Sequence, residues 1–186
     1  MKNDFNICPM CGSKQIKLTN GKKWLCPDCG FDLYCNVAAA VGIVLYDKNY
    51  NVLFEVRAKE PRKGFLCLPG GFVDGDESAE QAVERECREE LAAEINQKDI
   101  SYLCSFPNTY EYKNIEYKTC DIFFAAPLPE RYKDMASFVA TLHREESEVV
   151  RFEICQLKTA ADVEALPLAF GSAHKTLLKF LEVKDE

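Results

Sequence analysis

The sequence predicts an α/β chain in which a mixed sheet is sandwiched between helices and a small cysteine-built module comes first. Three observations carry that expectation. Two Cys-x-x-Cys pairs, Cys8/Cys11 and Cys26/Cys29, lie near the N-terminus. Apolar runs of strand length, bounded by turn residues, recur between Val37 and Ile154. Two stretches with helical spacing, Ser78–Leu91 and Ser172–Val183, interrupt and close those runs. The division reads as residues 1–34 for the module and 35–186 for the main domain.

Composition narrows the class. At 186 residues and 47% hydrophobic content, the chain suits one medium domain with a packed core plus a small module. Its net charge of −7 argues against a general electrostatic nucleic-acid binder. No apolar run reaches membrane-span length, and Met1–Pro9 lacks the apolar segment of a secretory signal. Six of the ten cysteines (Cys35, Cys67, Cys87, Cys104, Cys120 and Cys155) are scattered, mostly in apolar runs. That usage fits reduced core thiols and a cytoplasmic protein without disulfides.

In the module, Cys8-Pro9-Met10-Cys11-Gly12 and Cys26-Pro27-Asp28-Cys29-Gly30 are matching knuckles. Each turn lets backbone N–H groups face the sulfurs, and the glycine relieves strain after the second ligand. Four thiolates in tetrahedral array bind Zn²⁺ as a closed structural site, so Cys8, Cys11, Cys26 and Cys29 read as a zinc ribbon. A thioredoxin-like redox pair is the alternative, but it normally occurs once, near a βαβ unit. The ribbon carries five lysines (Lys2, Lys14, Lys17, Lys22, Lys23) against three aspartates (Asp4, Asp28, Asp32). A Zn²⁺ with four thiolates adds −2, which leaves the module about neutral. Trp24 and Phe31 read as its core, and docking or homodimer formation is favoured over nucleic-acid binding.

The main domain opens with Val37–Tyr46 and Val52–Val56, read as a β-hairpin around the Asp47–Asn51 turn. Arg57 and Lys59 follow; they suit either substrate phosphates or a solvated loop. Phe65–Leu68 is a short strand into Pro69-Gly70-Gly71. Asp74 and Asp76 are candidate N-caps for the helix that ends at Leu91, and Glu77 and Glu80 suit its first turn. Ala93–Ile95, Ile100–Phe106, Tyr117–Ala126 and Val149–Ile154 read as strands. A short helix is expected within Met135–His143, and a C-terminal helix over Ser172–Val183 with Leu177, Leu178 and Leu181 as its apolar side. His143 and His174 have no ligand-spaced partner.

The Ser78–Leu91 helix carries the chemistry. Ala79, Ala82, Val83, Cys87 and Leu91 project onto one half of it, and Glu86 and Glu90 fall inside that half. Arg85 and Glu89 sit at its border, while Gln81, Glu84 and Arg88 lie opposite. Carboxylates in an apolar stripe are usually paired or metal-bound. The spacing brings Glu86, Glu89 and Glu90 to one spot, and oxygen-only ligands suit Mg²⁺ or Mn²⁺. The alternative is a solvated Glu/Arg helix with Arg85 bonded to Glu89. The position of Glu86 and Glu90 counts against it.

With these residues in view, Gly71–Ala93 resembles the box of the Nudix hydrolases, G-x5-E-x7-R-E-U-x-E-E-x-G-U with U aliphatic. Gly71, Glu77, Arg85, Glu86, Glu89 and Glu90 match. Cys87, Ala92 and Ala93 replace an aliphatic, the second Gly and the last aliphatic. The resemblance implies an α/β/α sandwich and a hydrolase, with Glu86, Glu89 and Glu90 on Mg²⁺ (or Mn²⁺). It further implies that Glu86 and Glu90 are the main ligands with Glu89 an additional ligand or the base, that Arg85 orients Glu89 or Glu86, and that a downstream acid completes the site. Glu148 is the candidate for that acid, with Glu145 and Glu146 as alternatives. The substrate would be a nucleoside diphosphate linked to another moiety.

The ribbon resembles that of the NADH pyrophosphatase group, whose S-Q-P-W-P-F-P-x-S motif is matched here at Ser101, Phe106 and Pro107 only. NADH and ADP-ribose are therefore equal candidates, with AMP as one product. Tyr110, Tyr112 and Tyr117 suit base stacking or a strand edge. The competing class is a binding module whose ribbon docks a protein or RNA. The intact set of glutamates argues against it.

Overall fold

The computed structural model describes residues 5–144 and 146–184. Lys2, Asp4 and Glu145 lie outside the described residues. The N-terminal module is a three-stranded antiparallel sheet: β1 (Lys17–Thr19), β2 (Lys23–Leu25) and β3 (Asp32–Tyr34), in the order β1-β2-β3. Its core is Cys8, Ile16, Trp24 and Cys26, with Phe31 packed alongside. The two knuckles repeat one geometry. Gly12 N–H donates to Cys8 C=O and Gly30 N–H to Cys26 C=O, at 2.9 and 3.0 Å. Gly12 and Gly30 both hold φ near +75°, a conformation that disfavours any side chain.

The main domain runs β4 (Ala38–Tyr46), β5 (Asn51–Arg57), β6 (Leu66–Cys67), α1 (Ala79–Leu91), β7 (Ser101–Tyr112), β8 (Ile115–Pro127), α2 (Met135–Val139), β9 (Val149–Gln156), α3 (Ala160–Glu164) and α4 (Gly171–Val183). The sheet order is β6-β5-β4-β8-β7, with β9 paired to β5. β4 and β8 are parallel and the remaining pairs antiparallel, so the sheet is mixed as expected.

Strand alternation sorts the core into two layers. Val41, Ile43 and Leu45 of β4 and Leu53 of β5 face α1 and α2, packing with Ala82, Val83, Cys87, Leu91, Met135 and Phe138. Val44, Val52, Phe54 and Val56 face the other way, onto α3 and α4, with Val163, Ala173, Leu177 and Phe180. Helices thus cover both faces, which is the expected α/β/α sandwich.

Several local expectations change. The β4–β5 hairpin pairs only at Tyr46↔Val52, because β4 then follows β8 while β5 follows β9. Ser78, not Asp74 or Asp76, caps α1: it forms a capping box with Gln81. The helix starts at Ala79, and both aspartates lie upstream in the loop that leads to it. Ala93–Ile95 is no strand; it is the coil after a left-handed cap at Ala92 (φ 52°), with Ala93 and Ile95 buried. The strand expected to end at Phe106 runs on to Tyr112, through Pro107. Pro107 is tolerated because β7 is the sheet edge. A two-residue turn at Lys113-Asn114, both with positive φ, then folds β7 onto β8. Helix α3 went unforeseen.

Candidate active site

The site is built where the Gly70-Gly71 turn is pressed between β4 and α1. Val41 N–H donates to Gly71 C=O at 2.8 Å, and Ile43 N–H to Pro69 C=O at 3.0 Å, so the turn is stitched to β4. Gly70 has φ +139°, and a Cβ there would lie 2.2 Å from the Val41 oxygen. At Gly71 a Cβ would lie 2.5 Å from Glu86 Oε1. Gly70 therefore needs glycine, whereas a side chain at Gly71 would displace the Glu86 carboxylate. The fit also aims the Gly70 N–H at α1, where it donates to Glu90 Oε2 at 2.8 Å.

Arg85 is the organising cation. Its Nη2 and Nε donate to Glu77 at 2.7 and 3.1 Å, a two-pronged grip of the kind guanidinium geometry favours. Its Nη1 donates to Glu86 Oε1 at 2.7 Å and to Glu89 Oε2 at 3.2 Å, and Nη2 reaches the Phe72 carbonyl at 2.9 Å. The pairing with Glu89 foreseen for a solvated helix does exist. It is the longest of these carboxylate contacts on Nη1, and Arg85 mainly ties the loop to the helix. The bond from Arg85 to Glu77 was not foreseen, although both belong to the box.

Burial then separates the glutamates. Glu90 is 7% exposed, and burial, with the charge of Glu55 next, raises it well above the usual carboxylate range. Glu86 is raised too, by burial, although Arg85 pulls the other way. Glu89 stands at the rim with 58% of its side chain exposed. Glu148, just ahead of β9, reaches the same cavity and pairs with Lys59 at 2.5 Å. Glu146 bears on Arg144 at 3.7 Å, and it does not line the cavity.

One acidic residue was missed. Glu55, on β5, is 2% exposed and lines the cavity beside Glu86, Glu90 and Glu148. Burial first, then the charges of Glu86 and Glu148, push its pKa up to about 8. A signal was present in the sequence, since Glu55 is the one charge inside the apolar run Val52–Val56.

The cavity holds about 830 Å³. Arg57 and Lys59 line it, as do Tyr110, Tyr112, Phe72 and Phe170. Phe72 meets Tyr110 edge-on at 5.5 Å, and Tyr110 lies 5.8 Å from Phe170. Arg57 stacks on Phe170 and donates to the Pro61 carbonyl. Part of the wall is a polar network around buried Asp121, which accepts from Asn108, Thr119 and Ser172 at 2.6–2.8 Å. Tyr117 touches Phe72 but does not line the cavity.

The cysteines form the tighter cluster. Among the described residues, only Cys8, Cys11, Cys26 and Cys29 bring one ligand atom each within 4.8 Å of all the others. Cys8 and Cys29 sulfurs lie 3.7 Å apart, as do those of Cys11 and Cys26, so all four are free thiols with space for an ion. This donor set fits zinc. The glutamates fit a hard divalent ion by a different sign, namely buried like-charged carboxylates facing one cavity. Cys87 and Cys67 are pushed up by burial, Cys67 to about 12, as suits core thiols. His174 lies 3.2 Å from Glu164, away from either cluster. No described helix is long and apolar enough to cross a membrane.

Residues 37–178 match the NUDIX domain. An NAD-capped RNA hydrolase, NudC, from Pseudomonas aeruginosa is 34% identical over 91 residues, 48% of this chain and 31% of that protein. An ADP-ribose pyrophosphatase from Methanocaldococcus jannaschii is 36% identical over 78 residues, 42% of this chain and 46% of that one. The chain thus spans about a third to a half of the curated relatives it matches. The NUDIX domain of Shewanella oneidensis NrtR, solved with ADP ribose, superposes with a TM-score of 0.56 at 25% identity. It covers 84% of this chain and 89% of that one.

Proposed function

This chain belongs to the NUDIX domain family, and on that premise we propose that it is a Mg²⁺- or Mn²⁺-dependent pyrophosphohydrolase. Its substrate would be a nucleoside diphosphate derivative of the NADH or ADP-ribose class, cleaved to AMP and a phosphorylated product. One observation carries the reading: Glu86, Glu89, Glu90, Glu148 and Arg85 share a single 830 Å³ cavity with aromatic and basic walls. The similarity to an ADP-ribose pyrophosphatase and to an NAD-capped RNA hydrolase supports the substrate class.

Glu86 and Glu90 would hold the divalent ion, with Glu89 as a further ligand at the rim. When bound, such an ion neutralises charge on phosphate oxygens and lowers the pKa of a bound water. Arg85 keeps Glu86 and Glu89 oriented through its Nη1. The Gly70 N–H holds Glu90 from the opposite side. Glu148 Oε, or Glu89 Oε from the rim, takes the proton of the attacking water. Lys59, paired to Glu148, sets a cation beside that carboxylate on the cavity wall, where it would meet substrate phosphate. Arg57 offers a second cation on the same wall. Phe72, Tyr110, Tyr112 and Phe170 supply aromatic faces for a base.

In this reading residues 1–34 are a separate structural zinc ribbon and 35–186 the hydrolase domain. The ribbon's four cysteines, closed around their ion, leave no position for a substrate.

The test is product analysis by HPLC with Mg²⁺ against NADH, NAD⁺, ADP-ribose, nucleotide sugars, dinucleoside polyphosphates and nucleoside triphosphates. AMP released from NADH or ADP-ribose is the expected result. No product from any of them would overturn the reading in favour of a binding module.

A further inference from the structure

Glu55 is the residue that the box motif leaves unexplained. Among the described residues, its Oε1 is the one buried side-chain oxygen or nitrogen without a hydrogen-bond partner. Its Oε2 has only a weak contact, with the Cys67 thiol at 4.0 Å. The residue is 2% exposed, so its carboxylate is buried at a cost that calls for a compensating partner. Strand alternation explains its direction. Val52, Phe54 and Val56 pack towards α4, so Glu55 and Leu53 project to the opposite side, towards α1. There it meets Glu86 and Glu90 across the cavity.

Among the described residues no cation forms an ion pair with it, although the charge of Arg57 acts on it from a distance. Arg85 is engaged by Glu77, Glu86 and Glu89. Lys59 is paired with Glu148. Arg57 donates its Nε to the Pro61 carbonyl and stacks on Phe170. A buried carboxylate among carboxylates, with a free oxygen facing them, is the arrangement of a ligand awaiting its ion. We propose that Glu55 is an additional ligand, presented by the sheet, for the divalent cation held on the helix side by Glu86 and Glu90. The ion would then be gripped between β5 and α1 rather than carried on the helix alone. This inference rests on the metal-dependent reading above.

Mn²⁺ titration of the zinc-loaded full chain, followed by EPR of the free ion, tests it without recourse to activity. Glu55→Gln keeps the shape and one oxygen but removes the charge. It is expected to weaken Mn²⁺ binding by about tenfold or more, since ligand charge sets affinity at such sites. It should also shrink the rise in Tm that Mn²⁺ gives the wild type. Zinc content and circular dichroism establish that the variant is folded. Should Gln at this position fail that control, Glu55→Leu makes the same comparison, because it also removes the charge and takes both ligand oxygens with it. Binding by either folded variant within twofold of wild type overturns the role of Glu55 and leaves the hydrolase reading standing. Absence of Mn²⁺ binding by the wild type overturns both.

Discussion

The ribbon and the α1 cavity each gather groups that repel one another once ionised, and they hold them in opposite ways. In the ribbon the four sulfurs sit on tight turns and close to within 4.8 Å of each other, with glycines taking the strained positions. In the cavity the carboxylates come from a helix, a strand and a loop. They are kept apart, with Arg85 drawing on Glu86 and Glu89 and the Gly70 N–H on Glu90. The first arrangement is closed enough to surround an ion; the second opens onto 830 Å³ of cavity. Ligand chemistry follows the same division, soft sulfur for a structural ion and hard oxygen for one that must also meet phosphate. The difference teaches that the backbone carrying a set of ligands decides how openly they are presented.

The comparison breaks if the two sites prove interchangeable, and the largest effect expected is in the ribbon. Cys26→Ser should strip zinc and unfold the module, because structural zinc in such small folds contributes on the order of 10 kcal/mol. Zinc analysis by mass spectrometry reads this directly, and full zinc retention would contradict the assignment. Glu90→Gln should do the reverse. Zinc content and fold should stay, while Mg²⁺-dependent turnover falls by about 10²–10³-fold, the scale of several kcal/mol of lost transition-state stabilisation. Unaltered turnover would remove Glu90 from the site.

Arg85→Ala sharpens the comparison within the cavity. It frees the loop from the helix and leaves Glu77 and Glu86 unpaired, which should cost roughly 2 kcal/mol in chemical denaturation. The turnover number should fall with it.

A pH series compared between wild type and Glu55→Gln separates Glu55 from Glu86 and Glu90, whose pKa values burial also raises. Its folded pKa is raised from about 4.5 to about 8, by burial and then by Glu86 and Glu148. The stability tied to its neutral form is therefore complete below about 4.5 and is lost as pH climbs through about 8. Metal-free wild type should show a falling Tm across that window, and Glu55→Gln should flatten the fall. Parallel curves would deny Glu55 that role.

The smallest effect concerns α1's end, where Ala92 holds φ 52° in place of the box glycine. Ala92→Gly should stabilise the chain by roughly 0.5–1 kcal/mol by relieving the left-handed strain, partly offset by the entropy of the unfolded glycine. Turnover should not change.

The box was legible because its spacing maps onto one helix, so Glu86, Glu89 and Glu90 could be placed on a face before any fold was known. The knuckles were legible for the same reason, since all that matters is local. What the sequence hid was non-local. The short β4–β5 pairing depends on which distant strands compete for each edge, and β8 and β9 win. The length of β7 depends on its place at the sheet edge, which makes Pro107 harmless. Glu55 sits 31 residues from Glu86 along the chain, and only the crossing of β5 with α1 brings them to one cavity. The Ser78 cap was locally available, with Gln81 three residues on, but two upstream aspartates offered the same chemistry.

The most direct test of the division between the two sites is to remove loosely held divalent ions from the full chain by passage over a chelating resin. Turnover of ADP-ribose and NADH is then measured before and after Mg²⁺ is restored, with zinc determined on the same samples. The expected result is zinc held near one per chain throughout, with AMP appearing only when Mg²⁺ is present. AMP formed without added Mg²⁺, or in proportion to zinc content, would contradict it.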